Sequence, residues 1–173
     1  GQALDINDAG QIVGTSTTAG ETSHAFIVGP TGMLDLNDLV PAGPGWELTT
    51  ARASNDAGQL AGTGTLDGQP RAFLMTLEPP QAIVAADRVQ GVAPLRVFFF
   101  NMSAGDYTAA AWRFGDGGTS DWNSTFYTYT VPGIYDVALT VAGPLGQDTI
   151  TRTAYITVLR AYTVYLPLVV RGR

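Results

Sequence analysis

The 173-residue chain has no cysteine, no lysine, one histidine (His24) and no unbroken apolar run near the ~20 residues that a membrane-crossing helix needs. Without cysteine there is no disulfide framework, no thiolate nucleophile and no thiolate metal ligand. All nine basic residues are arginines placed singly, against fifteen acidic residues, for a net charge of −6. A nucleic-acid binder needs a basic stripe to neutralise phosphates, and the sequence has none. A lone histidine gives nucleophilic catalysis of the Ser-His-Asp kind only one base to use. His24 sits inside a repeated triplet, where a packed or hydrogen-bonded strand residue is expected, so no catalytic residue is assigned and the expected class is non-enzymatic.

An apolar share of 45% with only 14% charged residues describes a folded chain with a lightly charged surface. The chain opens at Gly1, without Met and within a repeat, and reads as a processed or excised C-terminal piece of something longer. The duplication is direct: Ala3 to Thr15, containing Asn7-Asp8-Ala9-Gly10-Gln11, aligns with Ala51 to Thr63, containing Asn55-Asp56-Ala57-Gly58-Gln59. Each copy runs on to a triplet, His24-Ala25-Phe26 and Arg71-Ala72-Phe73. Asn-Asp-Ala-Gly is a hairpin turn signal, because Asn and Gly tolerate the left-handed conformations such turns use. Short strands are expected at Ile12-Val13, His24 to Val28, Leu60 and Ala72 to Leu77, with all-β structure throughout. Residues 1–77 resemble the bacterial extracellular HAF repeat, and the resemblance implies two propeller-like β-units of a partial array.

Glu78-Pro79-Pro80 reads as a linker, since consecutive prolines cannot join a sheet ladder. Strands are expected from there at 83–86, 95–101, 109–114, 125–129, 135–141 and 149–158. Tyr135, Val137, Leu139 and Val141 alternate with polar or small residues as a half-buried strand does. The expected core holds Trp112, Phe114, Phe98 or Phe100, Tyr135 and Ile156. Trp112-Arg113-Phe114-Gly115-Asp116-Gly117 is an alternating strand running into a glycine turn, followed by Tyr129 and by Pro132-Gly133-Ile134-Tyr135. These residues resemble the hallmark of the polycystic-kidney-disease (PKD) domain over residues 81–159, which implies an Ig-like β-sandwich. The tail, residues 160–173, carries Tyr162, Val164, Leu166, Leu168 and Val170 around Pro167; it is expected to add one extra strand, apolar on both faces, that pairs with a neighbouring copy.

Candidate site residues are few. Asn101, Asp106, Asp116 and Asp121 are candidate calcium ligands if the turns at one end of the sandwich converge; no other cofactor is expected. An EF-type loop at Asp5-Ile6-Asn7-Asp8 is not supported, because its twelfth residue is Ser16 and the second copy has Ala53 in place of Asp5. Trp46, Trp122, Tyr107 and Tyr127 are candidate exposed aromatics, with Trp46 and Trp122 the expected ligand contacts. The resulting expectation is a non-enzymatic, extracellular structural or adhesive protein of a bacterial surface that meets other copies, or extracellular protein or polysaccharide, and assembles through its C-terminal strand. The alternative is the accessory substrate-binding region of a secreted hydrolase.

Overall fold

The computed structural model of the chain describes residues 1–40 and 45–162. The first repeat is an antiparallel meander of β1 (Gln2–Ile6), β2 (Ile12–Thr17), β3 (Ser23–Gly29) and β4 (Gly32–Asp35). The second is a three-stranded meander of β5 (Trp46–Ser54), β6 (Gln59–Leu66) and β7 (Gln69–Thr76). The duplicated turns fold alike. In each, the Asn amide and carbonyl bond to residues four and three further on, its Oδ1 accepts the Gln amide, and its Nδ2 donates to the Gln Oε1 at 2.7 Å in copy one and 2.8 Å in copy two. Gly10 and Gly58 take φ of +76° and +74°, the left-handed region where a side chain is costly. The paired Gly and Phe of each copy also depend on one another: a Cβ on Gly62 would meet the Thr50 carbonyl at 2.1 Å and the Phe73 ring at 2.6 Å. Gly14 lies in the same way against the Gln2 carbonyl and the Phe26 ring.

The two repeat sheets pack face to face. Val13, Ala25 and Ile27 of the first, joined by Leu36, are buried against Leu48, Ala51 and Leu60 of the second. A polar ladder follows the same seam: Asn7 Nδ2 donates to the Asn55 carbonyl, the Asp8 amide to Asp56 Oδ1, and the Ser54 amide and hydroxyl to Asp5 Oδ2. The turn ends of both repeats receive the tip of a hairpin from the second half of the chain. Gln11, buried, donates from Nε2 to the Pro144 carbonyl at 3.3 Å, Thr31 Oγ1 donates to the Gly143 carbonyl, and Leu145 packs on the repeat core. The Glu78 and Asp106 segments are tied as well, through two bonds of 2.6 and 2.9 Å.

The second half forms two sheets. One orders β13 (Thr125–Tyr129), β10 (Leu95–Asn101) and β8 (Val84–Ala86); the other orders β12 (Thr119–Ser120), β11 (Ala109–Arg113), β14 (Gly133–Gly143), β15 (Gly146–Leu159) and β9 (Gln90–Val92). All neighbours are antiparallel except β9 on β15. Between the sheets lies one core of Leu95, Val97, Phe99, Trp112, Phe114, Tyr129, Val137, Leu139, Val141 and Ile156, all buried. Trp112, Phe114 and Ile156 are where the sequence put them, and Tyr135 is half-buried against them.

Phe98 and Phe100 are not core residues. The two-residue period of β10 puts Leu95, Val97 and Phe99 inside, so Phe98 is half-buried and Phe100 exposed on the outer face. A run of three phenylalanines has no alternation of its own, and the register is set by the aliphatic residues before it.

The Trp112 to Gly117 stretch closes β11 onto β12. Gly115 (φ +85°) leaves no room for a Cβ, which would stand 2.4 Å from the Asp136 carbonyl. Asp116 accepts the Gly118 amide at 3.0 Å and the Tyr127 hydroxyl at 2.8 Å, so the aspartate ties its own turn to β13. The buried Tyr129 hydroxyl donates to the Phe114 carbonyl at 3.1 Å. Pro132 and Gly133 lead into β14, where the Tyr135 hydroxyl returns to the Val131 carbonyl. At the far end β15 stops at Leu159, and Tyr162 is exposed beyond it. The remaining positions of the expected tail strand, Val164, Leu166, Leu168 and Val170, lie outside the described residues.

Candidate functional site: the Trp122 loop

The 121–124 loop joins β12 to β13, and its backbone is fixed from below. The indole N–H of buried Trp112 donates to the Trp122 carbonyl at 2.9 Å and, more weakly, to the Asn123 carbonyl at 3.3 Å. A buried indole N–H must find an acceptor, so the core tryptophan draws these carbonyls inward. The Trp122 ring is left 76% exposed. The rest of the loop is held by the Asn101 amide donating to Ser124 Oγ at 3.0 Å and by Asn101 Nδ2 donating to Asn123 Oδ1 at 2.7 Å. The Tyr107 hydroxyl reaches the same Asn123 oxygen at 3.5 Å.

Asp121 and Asn123, the chain neighbours of Trp122, line the larger sheet's open surface. An open trough of about 430 Å³ runs over Thr108, Ala109, Ala110 and Ala111 to Asp121 and Asn123. A second, of about 540 Å³, shares Ala111 and Asp121 and continues over Arg113, Thr140, Gln147 and Thr149. Alanines keep the floor low while hydroxyls, amides and one carboxylate line the sides. An exposed indole can stack on an apolar ring face, and the Asp121 and Asn123 side chains flanking it in the loop can hydrogen-bond hydroxyls.

The other sequence candidates are spread over the molecule. Trp46 opens β5 and is half-buried on the repeat core, lining an apolar groove of about 400 Å³ with Val40, Leu48 and Phe73. Tyr107 is half-buried, and so is Tyr127, stacked on Phe114 with ring centroids 3.9 Å apart. Of the four aromatics, only Trp122 is exposed. Asn101 is bonded to Asn123 and Ser103, Asp106 to the Glu78 amide and Asp116 to Tyr127, whereas Asp121 lines the trough. Among the described residues no group of three or more His, Cys, Asp or Glu side chains is placed to hold a metal ion.

His24 is a clasp between the repeats. Its Nδ1 meets Asp35 Oδ2 at 2.5 Å; its Nε2 lies 3.4 Å from Thr22 Oγ1 and 3.7 Å from Glu47 Oε1 on β5. Thr22, His24 and Asp35 have the order of a nucleophile, a base and its orienting acid. The long hydroxyl contact and the competing Glu47 carboxylate nonetheless suit a structural link better than a proton relay. Burial opposes ionisation of Asp35, but hydrogen bonds from His24 and from Asn37 prevail and hold its carboxyl below the usual 3.8. Asn37 in turn pairs with both backbone groups of Leu48 at 2.7 and 2.9 Å, extending the clasp to the second repeat.

Sequence reasoning missed one aromatic group. Phe98, Phe100 and Phe126 cluster on the outer face of the smaller sheet, with centroids 4.6 and 4.5 Å from Phe98 and the Arg96 guanidinium 3.9 Å above Phe126. The signal was the Phe98-Phe99-Phe100 run itself, which on any strand must turn an aromatic outward.

A two-sheet sandwich whose Trp-Arg-Phe-Gly-Asp-Gly turn is tied to a second strand by Asp116 defines a small β-sandwich module. Residues 78–158 match the PKD domain family, and the chain belongs to that family through them. The chain is similar to the PKD1 domain of Vibrio anguillarum Epp, at 31% identity over 48% of this chain and 99% of that one, with a TM-score of 0.40. It is similar to the PKD1 domain of the Vibrio cholerae metalloprotease PrtV, at 30% identity over 45% of this chain and 96% of that one (TM-score 0.39). It is also similar to a structure of carbohydrate-binding modules of the β-sandwich superfamily, at 28% identity over 50% of this chain and 37% of that one (TM-score 0.45). No curated protein matches the chain.

Proposed function

We propose that this chain is a non-enzymatic extracellular binding module, in which the PKD sandwich grips a polysaccharide matrix through the Trp122 loop. The observation that carries the reading is the Trp112–Trp122 link, which fixes the loop backbone on the core and leaves an exposed indole in a loop whose Asp121 and Asn123 line an open trough. A pre-positioned ring pays little ordering entropy on binding, and weak stacking then suffices for adhesion when modules are repeated on a surface. The repeats ahead of the sandwich fit HAF-type blades. The support is their matching turns, their antiparallel meanders and their face-to-face packing.

The test is retention of the purified chain on insoluble polysaccharides such as cellulose and chitin. The chain is expected in the bound fraction, Trp122→Ala in the unbound fraction, and Trp46→Ala bound like the parent. Equal retention of parent and Trp122→Ala defeats the reading. The same chemistry would serve the accessory region of a secreted hydrolase, and a catalytic motif in the sequence preceding Gly1 decides for that setting. Assembly through the tail strand is a separate proposal: removal of residues 161–173 should leave a folded chain that no longer self-associates by that route.

A further inference from the structure

The seam between the two repeats is made from faces that the chain also presents to solvent. Consider the first repeat. Val13, Thr15, Ala25 and Ile27 point to the second repeat, with Thr15 Oγ1 donating to the Thr49 carbonyl at 2.9 Å. By the duplication and the strand register, their counterparts in the second repeat are Ala61, Thr63, Ala72 and Leu74. These four are exposed, and Leu74 is 72% exposed where Ile27 is fully buried. The opposite face shows the same relation. Ala51, Leu60, Phe73 and Met75 of the second repeat pack towards the first, and their counterparts Ala3, Ile12, Phe26 and Val28 share the other face of the first repeat, where Ala3 is exposed, Ile12 and Val28 are half-buried and Phe26 is buried within its own sheet. Ile6, 62% exposed, and Met33 extend that outer face. The polar ladder is open too: Asn7 Nδ2 serves both Gln11 and Asn55, whereas among the described residues Asn55 Nδ2 bonds Gln59 alone.

We infer that copies of this chain associate head to tail, the Ala61/Ala72/Leu74 face of one receiving the Ala3/Ile6/Ile12 face of the next, as the first repeat receives the second within each chain. The occupant is a second copy because the internal seam already shows that these two faces are complementary, and among the described residues Ala61, Ala72 and Leu74 at one face and Ala3 and Ile6 at the other are exposed. The contact is heterologous, so it extends into rings or filaments. It goes beyond the matrix-binding reading and uses none of the residues of the Trp122 loop.

Analytical ultracentrifugation of the full chain tests this with Ile6→Asp and Leu74→Asp. Both positions are exposed, so both variants should keep the circular dichroism of the parent. The parent is expected to show species heavier than its 18.2 kDa monomer, increasing with concentration. Each variant alone should weaken association at least tenfold and run as a monomer. An equimolar mixture should give a dimer and nothing longer, because Ile6→Asp keeps one good face and Leu74→Asp keeps the other. A parent that stays monomeric overturns the inference. So does a parent whose assembly survives in both variants, or a mixture that stays monomeric while the parent assembles.

Discussion

The register of β10 makes a quantitative prediction at three adjacent phenylalanines. Phe99 is fully buried, with its ring centroid 5.2 Å from that of Phe114 and 5.7 Å from that of Trp112. Truncation to alanine removes most of a ring from a close-packed core and leaves a cavity, at a cost of about 3–5 kcal/mol. In a domain of this size that lowers the melting temperature by roughly 12–40 °C, at about 4–8 °C per kcal/mol. Phe98 is half-buried on the other face, in contact with Phe100 and Phe126, and its truncation should cost about 1–2 kcal/mol, chiefly lost aromatic contacts and area. Phe100, more than a third exposed, should cost less than about 1 kcal/mol. Urea unfolding followed by tryptophan fluorescence measures the series, with Trp112 reporting from the same core, and the slopes should not change. If Phe100→Ala were more costly than Phe99→Ala, the assigned faces of β10 would be wrong and the sandwich would have to be rebuilt.

Four further outcomes follow from single contacts. Gly115→Ala places a Cβ against the Asp136 carbonyl at positive φ, and calorimetry should show a loss of at least about 1–2 kcal/mol. Gly62→Ala should disrupt the second repeat more than Gly10→Ala disturbs the first, since a Cβ at Gly10 meets nothing within 4 Å; hydrogen exchange along β6 and β7 reads the difference. Burial, and then the Asp116 carboxylate, push the Tyr127 phenol up from 10.0 to about 12. The folded state thus favours the protonated phenol; this stability is present in full below about pH 10 and is lost as the pH rises towards 12, and Tyr127→Phe should flatten that alkaline decline. Asp35 behaves with the opposite sign: its depressed carboxyl gives stability present above the usual 3.8 that is lost as the pH falls through its folded value, and Asp35→Asn should remove that part of the acid transition.

Much of this architecture was legible in the chain because it is written in local patterns. β10 and β13 occupy the expected residues, and the Trp112 to Gly117 turn uses its glycines and aspartate as their chemistry suggests. The duplicated Asn-Asp-Ala-Gly-Gln turns announced their geometry, since the Asn-to-Gln and Asn-to-Gly bonds that close each of them lie within five residues. What was hidden is short or tertiary. β9 and β12 are too brief to show a period. The bulges at Leu48/Thr50 and Ala51/Ala53 break the alternation of β5, so no strand was expected there, and Trp46, expected as an exposed contact, begins one and is half-buried. At the candidate site, Trp122 could be singled out as an aromatic in a polar loop. Its exposure rests on the long-range bond from Trp112, which no periodicity reports.

The account turns on Trp122 as the contact with the matrix, and the three tryptophans provide three indole N–H signals with which to test it. Nuclear magnetic resonance of the nitrogen-15-labelled chain, titrated with soluble fragments of a polysaccharide that retains it, measures this directly. The Trp122 signal should shift progressively to saturation while those of buried Trp112 and half-buried Trp46 stay in place. A titration in which Trp122 stays still, or in which Trp46 alone responds, would contradict the account.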